Sequence, residues 1–316
     1  MDLYSNDKGS LKRIDPKPFK LEKDIQSMVE ANSKEIFDLQ FVSTEFHIDS
    51  FYLDSVFFDE ENKSFVVVEY KKTKSFSVID QGYTYLSLML NNKSDFILEY
   101  NEKYPEDALK KKDVDWSQSR VIFISTGYTT YQINSVNFKD VPFELWEIKQ
   151  YGNNTIGLSH ITPTSKESIQ SVGTSGNSLV KTVANEVKVY SESDLLRKCS
   201  ESTLALWSDL QNRFNELDNI NYVTRKHYIG IRKGKKTVTY VHFYKSKLLL
   251  HMVRGNIYKG KKSKAFFTLD DSKNLAKMGD HNFKDGTVRK YYEMNIQNVD
   301  DTDYIMILCK QKYHSI

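Results

Sequence analysis

The stretch that decides the fold is Asp54-Ser55-Val56-Phe57-Phe58, a polar turn over 59–64, and then Phe65-Val66-Val67-Val68-Glu69-Tyr70-Lys71. Two apolar, β-branched and aromatic runs flank a turn built from Asp, Glu and Asn, which is the pattern of a β-hairpin. If Phe58 faces Phe65, antiparallel pairing sets Asp54 opposite Glu69. Directly opposed side chains have Cβ atoms about 5 Å apart. Two carboxylates at that separation can share a divalent cation, and Mg²⁺ or Mn²⁺ needs only one or two because it keeps several waters. Lys71 lies two residues beyond Glu69, so the strand period returns it to the same face. A lysine there can position a water or offset charge on a phosphate under attack.

Outward from the hairpin, apolar periodicity predicts a helix over 21–39 and a strand over 45–48. The hairpin strands occupy 52–58 and 65–71, and a second helix is expected over 77–91. Strands are expected at 96–100, 121–125 and 143–149, with a short helix near 129–137. Helices alternating with strands in this way argue for an α/β domain around a central mixed sheet.

This order of elements resembles the PD-(D/E)XK, or restriction-endonuclease-like, nuclease superfamily. Gln81-Gly82-Tyr83-Thr84-Tyr85, ten residues after Lys71, resembles the Gln-x-x-x-Tyr signature of one of its branches. At i and i+4, Gln81 and Tyr85 share a helix face. The resemblance covers residues 18–100, and Leu53 stands where the motif has proline. It implies Asp54 and Glu69 as metal ligands, Lys71 as the catalytic lysine, and Gln81 and Tyr85 as supports for the phosphate or the lysine. It also implies a carboxylate from the first helix. Glu22 fits the family spacing best, and Glu30, eight residues on, is the alternative. The implied activity is Mg²⁺- or Mn²⁺-dependent phosphodiester hydrolysis in nucleic acid, DNA rather than RNA, in defence or repair. The alternative function is a catalytically inactive nuclease fold that binds nucleic acid or a protein partner.

Composition divides the 316 residues in two. Residues 1–186 carry 21 basic and 28 acidic side chains, net −7, whereas 187–316 carry 24 and 14, net +10. Between 162 and 178, eight of 17 residues are Ser or Thr, which marks a linker. The expected domains are a nuclease-like α/β unit over 1–160, a Ser/Thr/Gly-rich linker over 161–186, and a basic α+β unit over 187–316. The last resembles a small bacterial domain of unknown function. Its expected elements are a helix over 193–217 with a buried stripe of Leu204, Trp207, Leu210, Phe214 and Leu217, then strands at 222–232, 237–244, 248–254 and 288–294, and a closing helix over 302–313.

Residues 225–264 hold 13 Lys or Arg and no acid. Such a run, interleaved with tyrosines, suits a polyanion, and Arg232, Lys233, Lys235, Lys236, Lys261 and Lys262 are the expected nucleic-acid contacts. The Gly230–Thr237 stretch lacks the spacing of a phosphate loop. His242 and His251 read as packed strand residues, and Cys199 and Cys309 as small buried ones. No window reaches the roughly 18 apolar residues of a membrane span. The absence of an apolar leader and the two cysteines suggest a reducing cytoplasm. A homodimer is left open.

Overall fold

A computed structural model describes residues 2–72, 77–169, 178–263, 266–282 and 286–316. The chain forms two units, Met1–Val189 and Tyr190–Ile316.

The first unit begins with a hairpin, β1 (Leu3–Asp7) and β2 (Ser10–Ile14), and a short strand β3 (Pro16–Lys17). Helices α1 (Glu22–Ala31) and α2 (Ser33–Phe37) lead into the meander β4 (Gln40–Ile48), β5 (Phe51–Asp59) and β6 (Ser64–Lys71). Helices α3 (Val78–Asn91) and α4 (Lys93–Lys103) follow, then β7 (Arg120–Ser125), α5 (Thr130–Ser135), β8 (Phe143–Tyr151), β9 (Ile156–Ile161) and α6 (Ser178–Glu186). The sheet order is β3-β8-β7-β6-β5-β4, with β9 also on β8. β6, β7 and β8 run parallel, while β4, β5 and β6 are antiparallel neighbours.

The run 65–68 is buried on both faces of this sheet, as central strands of α/β domains require. Phe65 and Val67 join the core under α3, α4 and α6, while Val66 and Val68 join the one under α1. The turn after β5 is organised by Asp59, which accepts from the backbone N–H groups of Glu61 (3.1 Å) and Asn62 (2.9 Å). Arg120 at the start of β7 pairs with the same carboxylate at 2.9 Å.

Three expectations for this unit change. The helix over 21–39 is two helices, because the Asn32 side chain donates to the Met28 carbonyl (2.8 Å) and takes over a helix-end acceptor. The strand at 96–100 is helix α4: Phe96, Ile97 and Tyr100 are buried at helical spacing, and their aromatic density masked the period. The linker is shorter than expected. Asn137 accepts from the backbone of Thr164 and Ser165, Ile169 packs against the core, and Val180, Val183 and Val187 are buried in it. α6 is therefore part of the first unit, and residues 170–177 of the expected linker lie outside the described residues.

The second unit has α7 (Glu192–Leu196), α8 (Glu201–Asn215), β10 (Ile220–Thr224), β11 (Ile229–Lys233), β12 (Lys236–Tyr244), β13 (Lys247–Tyr258), β14 (Lys261–Lys262), β15 (Lys277–Asn282), β16 (Val288–Ile296) and α9 (Thr302–Ser315). Its antiparallel sheet runs β10-β11-β12-β13-β16-β15, with β14 folded back on β13. Trp207, Leu210 and Phe214 of α8 and Ile305, Leu308 and Cys309 of α9 share one core with the sheet. The helix expected over 193–217 is interrupted, because Ser200 caps α8 by accepting from the Thr203 N–H (3.3 Å). Leu204 is 38% exposed, and Leu206 is the buried leucine of that turn. The strand expected at 222–232 is the hairpin β10–β11. Among the described residues no helix is long and apolar enough to cross a membrane.

Helix α3 lies so close to β8 that a Cβ on Gly82 would stand 2.5 Å from the Phe143 ring. Gly82→Ala should therefore destabilise the first unit by about 1–3 kcal/mol, read as a lowered Tm. An unchanged Tm would contradict this packing of α3 on the sheet.

Candidate active site where two strands part

β5 and β6 pair from Asp59↔Ser64 through Phe58↔Phe65 to Ser55↔Val68, which is the expected register. The ladder ends there, one residue short of Asp54 and Glu69. Beyond that point β6 continues beside β7, with Glu69 next to Phe123 and Lys71 next to Ser125. The Asp54 side chain replaces the missing ladder bond: its Oδ2 accepts from the Tyr70 backbone N–H at 2.9 Å. The strands thus part at the end of β6 without leaving that donor unpaired.

Strand alternation sends Asp54, Glu69 and Lys71 to the face covered by α3. The Glu69 side chain is 3% exposed, and its Oε1 accepts from Lys71 Nζ at 2.6 Å. Among the described residues its Oε2 makes no well-formed hydrogen bond, and neither does the buried Oε1 of Gln81 on α3. Burial first, and then the charge of Asp54, push the Glu69 carboxyl up to about 7 against the pull of Lys71 and Tyr85. Asp54 is also raised, chiefly by burial, although the Tyr70 N–H and Lys71 oppose this. Burial and the two carboxylates drive the Tyr85 phenol well above its ordinary value, so it remains a neutral donor. Burial works against the Lys71 ammonium, but Glu69, Asp54 and Glu22 outweigh it and hold the group charged.

The two candidate carboxylates of α1 have separate positions. Glu22, on the first turn, accepts from the Lys72 backbone N–H through Oε2 (2.7 Å), and its Oε1 lies 3.7 Å from Lys71 Nζ. Glu30 accepts from Ser55 Oγ (2.6 Å) and Gln26 Nε2 (3.0 Å). Ser55 neighbours Asp54 in sequence and points to the opposite face, so Glu30 is tied away from the Asp54–Glu69 pair. Glu22 therefore stands with Lys71, and Glu30 does not.

Gln26 was not anticipated from the sequence. Its amide donates to the Asp54 carbonyl at 2.7 Å and to Thr44 Oγ1 at 3.0 Å, anchoring α1 to the strand that bears Asp54. The only hint was a glutamine beside Ile25 on the buried side of α1. Asp49 is held by Asn92 at the β4–β5 turn, away from the pair.

No three His, Cys, Asp or Glu side chains among the described residues form a ready metal cage. The donor set nevertheless suits a hard, partly hydrated cation. Asp54 and Glu69 present carboxylate oxygens on one face, and Glu69 Oε2, buried without a well-formed hydrogen bond among the described residues, is an acceptor that a cation or its water would satisfy.

The cations expected to meet nucleic acid divide into two groups. Lys235 and Lys236 on the β11–β12 turn and Lys261 and Lys262 in β14 are exposed. Lys233, by contrast, donates to the carbonyls of Tyr313 (3.1 Å) and Ile316 (2.8 Å) and lies over the Tyr313 ring. These contacts fasten the end of α9 and engage Lys233 within the protein, unlike its exposed neighbours. Arg232 is half-buried, with its Nε lacking a partner.

The raised Glu69 carboxyl has a consequence for stability. Its protonated form is favoured in the folded state, so its contribution is complete below the ordinary value of 4.5 and is lost as pH rises through about 7. With EDTA present, Glu69→Gln should stabilise the protein at pH 8.5, on the order of 2 kcal/mol, and by much less at pH 5. A Tm difference that does not change with pH would contradict the buried pair.

A protein of Haemophilus influenzae described as an "Uncharacterized protein" is 37% identical to this chain over 313 residues, spanning 98% of this chain and 99% of its own length. No family model and no solved structure matches the chain. The similarity runs through both units at nearly equal length, and the chain belongs to one family with that Haemophilus protein.

Proposed function

We propose that this protein is a divalent-metal-dependent nuclease of the restriction-endonuclease-like PD-(D/E)XK kind, hydrolysing phosphodiester bonds in DNA. The observation that carries the reading is the meeting of Asp54 and Glu69 at the strand parting, with Lys71 Nζ 2.6 Å from Glu69 and Tyr85 acting on the same carboxylate. This also fits the three-layer unit, with helices on both faces of a mixed sheet and the site at the carboxyl end of β6.

Asp54 and Glu69 would hold Mg²⁺ or Mn²⁺, which supplies Lewis-acid polarisation of the phosphate and a more acidic water. Lys71, held as an ammonium beside these carboxylates, orients that water and offsets charge building on the phosphate oxygens. Glu22 limits where the Lys71 side chain can go and fastens the backbone just beyond it. Gln81, one helical turn before Tyr85 on the same face of α3, would donate its amide to a phosphate oxygen. Tyr85, kept as a neutral phenol close to Glu69, would donate to that carboxylate or to a phosphate oxygen.

The test is cleavage of single- and double-stranded DNA and of RNA with Mg²⁺ or Mn²⁺. Asp54→Asn, Glu69→Gln and Lys71→Met should each reduce metal-dependent cleavage by about 10²–10³-fold. Glu22→Gln should cost activity as well, whereas Glu30→Gln should act through stability. Undiminished cleavage by both carboxylate variants would overturn the assignment.

A further inference from the structure

The second unit contains a cavity unrelated to the carboxylate pair. β13 and β16 pair in register up to Val253↔Tyr291 and resume at Gly255↔Lys290, which leaves Arg254 as the extra residue of a β-bulge. Bulges redirect a side chain out of the regular alternation. Gly255, at φ +147°, makes the bulge possible and lets Ser263 and Phe266 approach it closely. A Cβ at this position would stand 2.6 Å from Ser263 Oγ and 2.9 Å from the Phe266 ring. The Phe267 N–H then donates to the Arg254 carbonyl at 2.6 Å.

The redirected guanidinium lies between two rings, 5.2 Å from the centroid of Phe266 and 4.7 Å from that of Tyr292. Its Nη1 lies 3.0 Å from Met278 Sδ, a weak acceptor, and no described carboxylate pairs with it. The nearby Asp280 is taken by Lys290. Lys262 Nζ lies 4.9 Å from the Phe266 ring centroid, also without a described carboxylate beside it. Between these groups is a cavity of about 400 Å³, lined also by Lys290 and its partner Asp280, with Ile257, Phe266 and the 73% exposed Met278 as its apolar wall.

This combination has a definite ligand chemistry. A planar guanidinium without a carboxylate, joined by a second cation, is suited to phosphate oxygens. A flat ring and a polarisable thioether beside it are suited to a heteroaromatic base. The volume is in the range of small-ligand sites. We propose that this cavity binds a nucleotide, with the phosphate on Arg254 and Lys262 and the base against Phe266 and Met278. The nucleotide is either free or one residue of an unpaired strand, since both present the same groups. The proposal does not depend on cleavage at Asp54 and Glu69.

The experiment is fluorescence anisotropy on the full chain in EDTA, so that cleavage cannot contribute. The probe is a labelled 12-residue oligothymidylate, with unlabelled AMP and TMP as competitors. Arg254→Met should weaken binding about tenfold or more and reduce the slope of log affinity against log salt by about one. Phe266→Leu should weaken binding about tenfold with the slope unchanged, because it removes stacking and no charge. The exposed Lys262→Glu tests the phosphate contact should Arg254→Met fail to fold. Competition by a mononucleotide identifies a free nucleotide as ligand, and loss in the variants without competition identifies a strand. Wild-type binding by both Phe266→Leu and Lys262→Glu, or no binding by the wild type to any of these probes, overturns the proposal.

Discussion

The first unit depends on one constraint: two carboxylates are buried together where β5 stops pairing with β6. Such burial is costly unless the charges are offset or a proton is retained. The structure does both. Lys71 sits on Glu69, the Tyr70 N–H is donated to Asp54, and both carboxyls are raised. The neighbouring elements then follow from holding this arrangement in place. Gln26 bolts α1 to the Asp54 backbone, Glu22 fastens the residue after Lys71, and Gly82 lets α3 approach closely enough for Tyr85 to act on Glu69. A site built from strand ends and helix faces has less positional freedom than one on loops, which positioned catalysis needs.

The second unit assigns its positive charge to different tasks. Lys233 is a structural clamp on α9, and Lys312 lies over the Phe267 ring, its ammonium lowered to about 8 by burial and by Lys236. Lys236, Arg254, Lys261 and Lys262 lie toward one end of the antiparallel sheet, because the β12–β13 register runs the start of β12 toward the end of β13. A fixed cluster of like charge gains most from a polyanionic ligand and is screened by salt. The histidines serve the sheet itself. His242 packs 4.6 Å from His251, and burial with the nearby His251 pushes it down to about 4.

Much of the site was legible because strand periodicity is rigid. Once Phe58 was set against Phe65, the positions of Asp54, Glu69 and Lys71 followed, and the i, i+4 spacing aligned Gln81 with Tyr85. Where the reading failed, a local feature competed with the pattern. Phe96, Ile97 and Tyr100 read as strand because a short aromatic run has no visible period. Asn32 and Ser200 interrupt helices by side-chain hydrogen bonds that composition does not reveal. Val180, Val183 and Val187 were hidden by the serine-rich stretch before them. Choosing Glu22 over Glu30 required the third dimension, because both lie near one stripe of α1 and only their partners distinguish them. Lys233 likewise could not be separated from its exposed neighbours without the end of the chain in view.

The central claim is that Asp54 and Glu69 form one buried pair able to take a divalent cation. Calorimetric titration of Mn²⁺ or Mg²⁺ at pH 7, repeated in buffers of different ionisation enthalpy, tests it directly. Binding must displace the proton that Glu69, raised to about 7, still partly holds at pH 7, so about half a proton should leave per ion bound, with little release from Glu69→Gln. No binding, or binding with the same proton release in Glu69→Gln as in the wild type, would contradict the account.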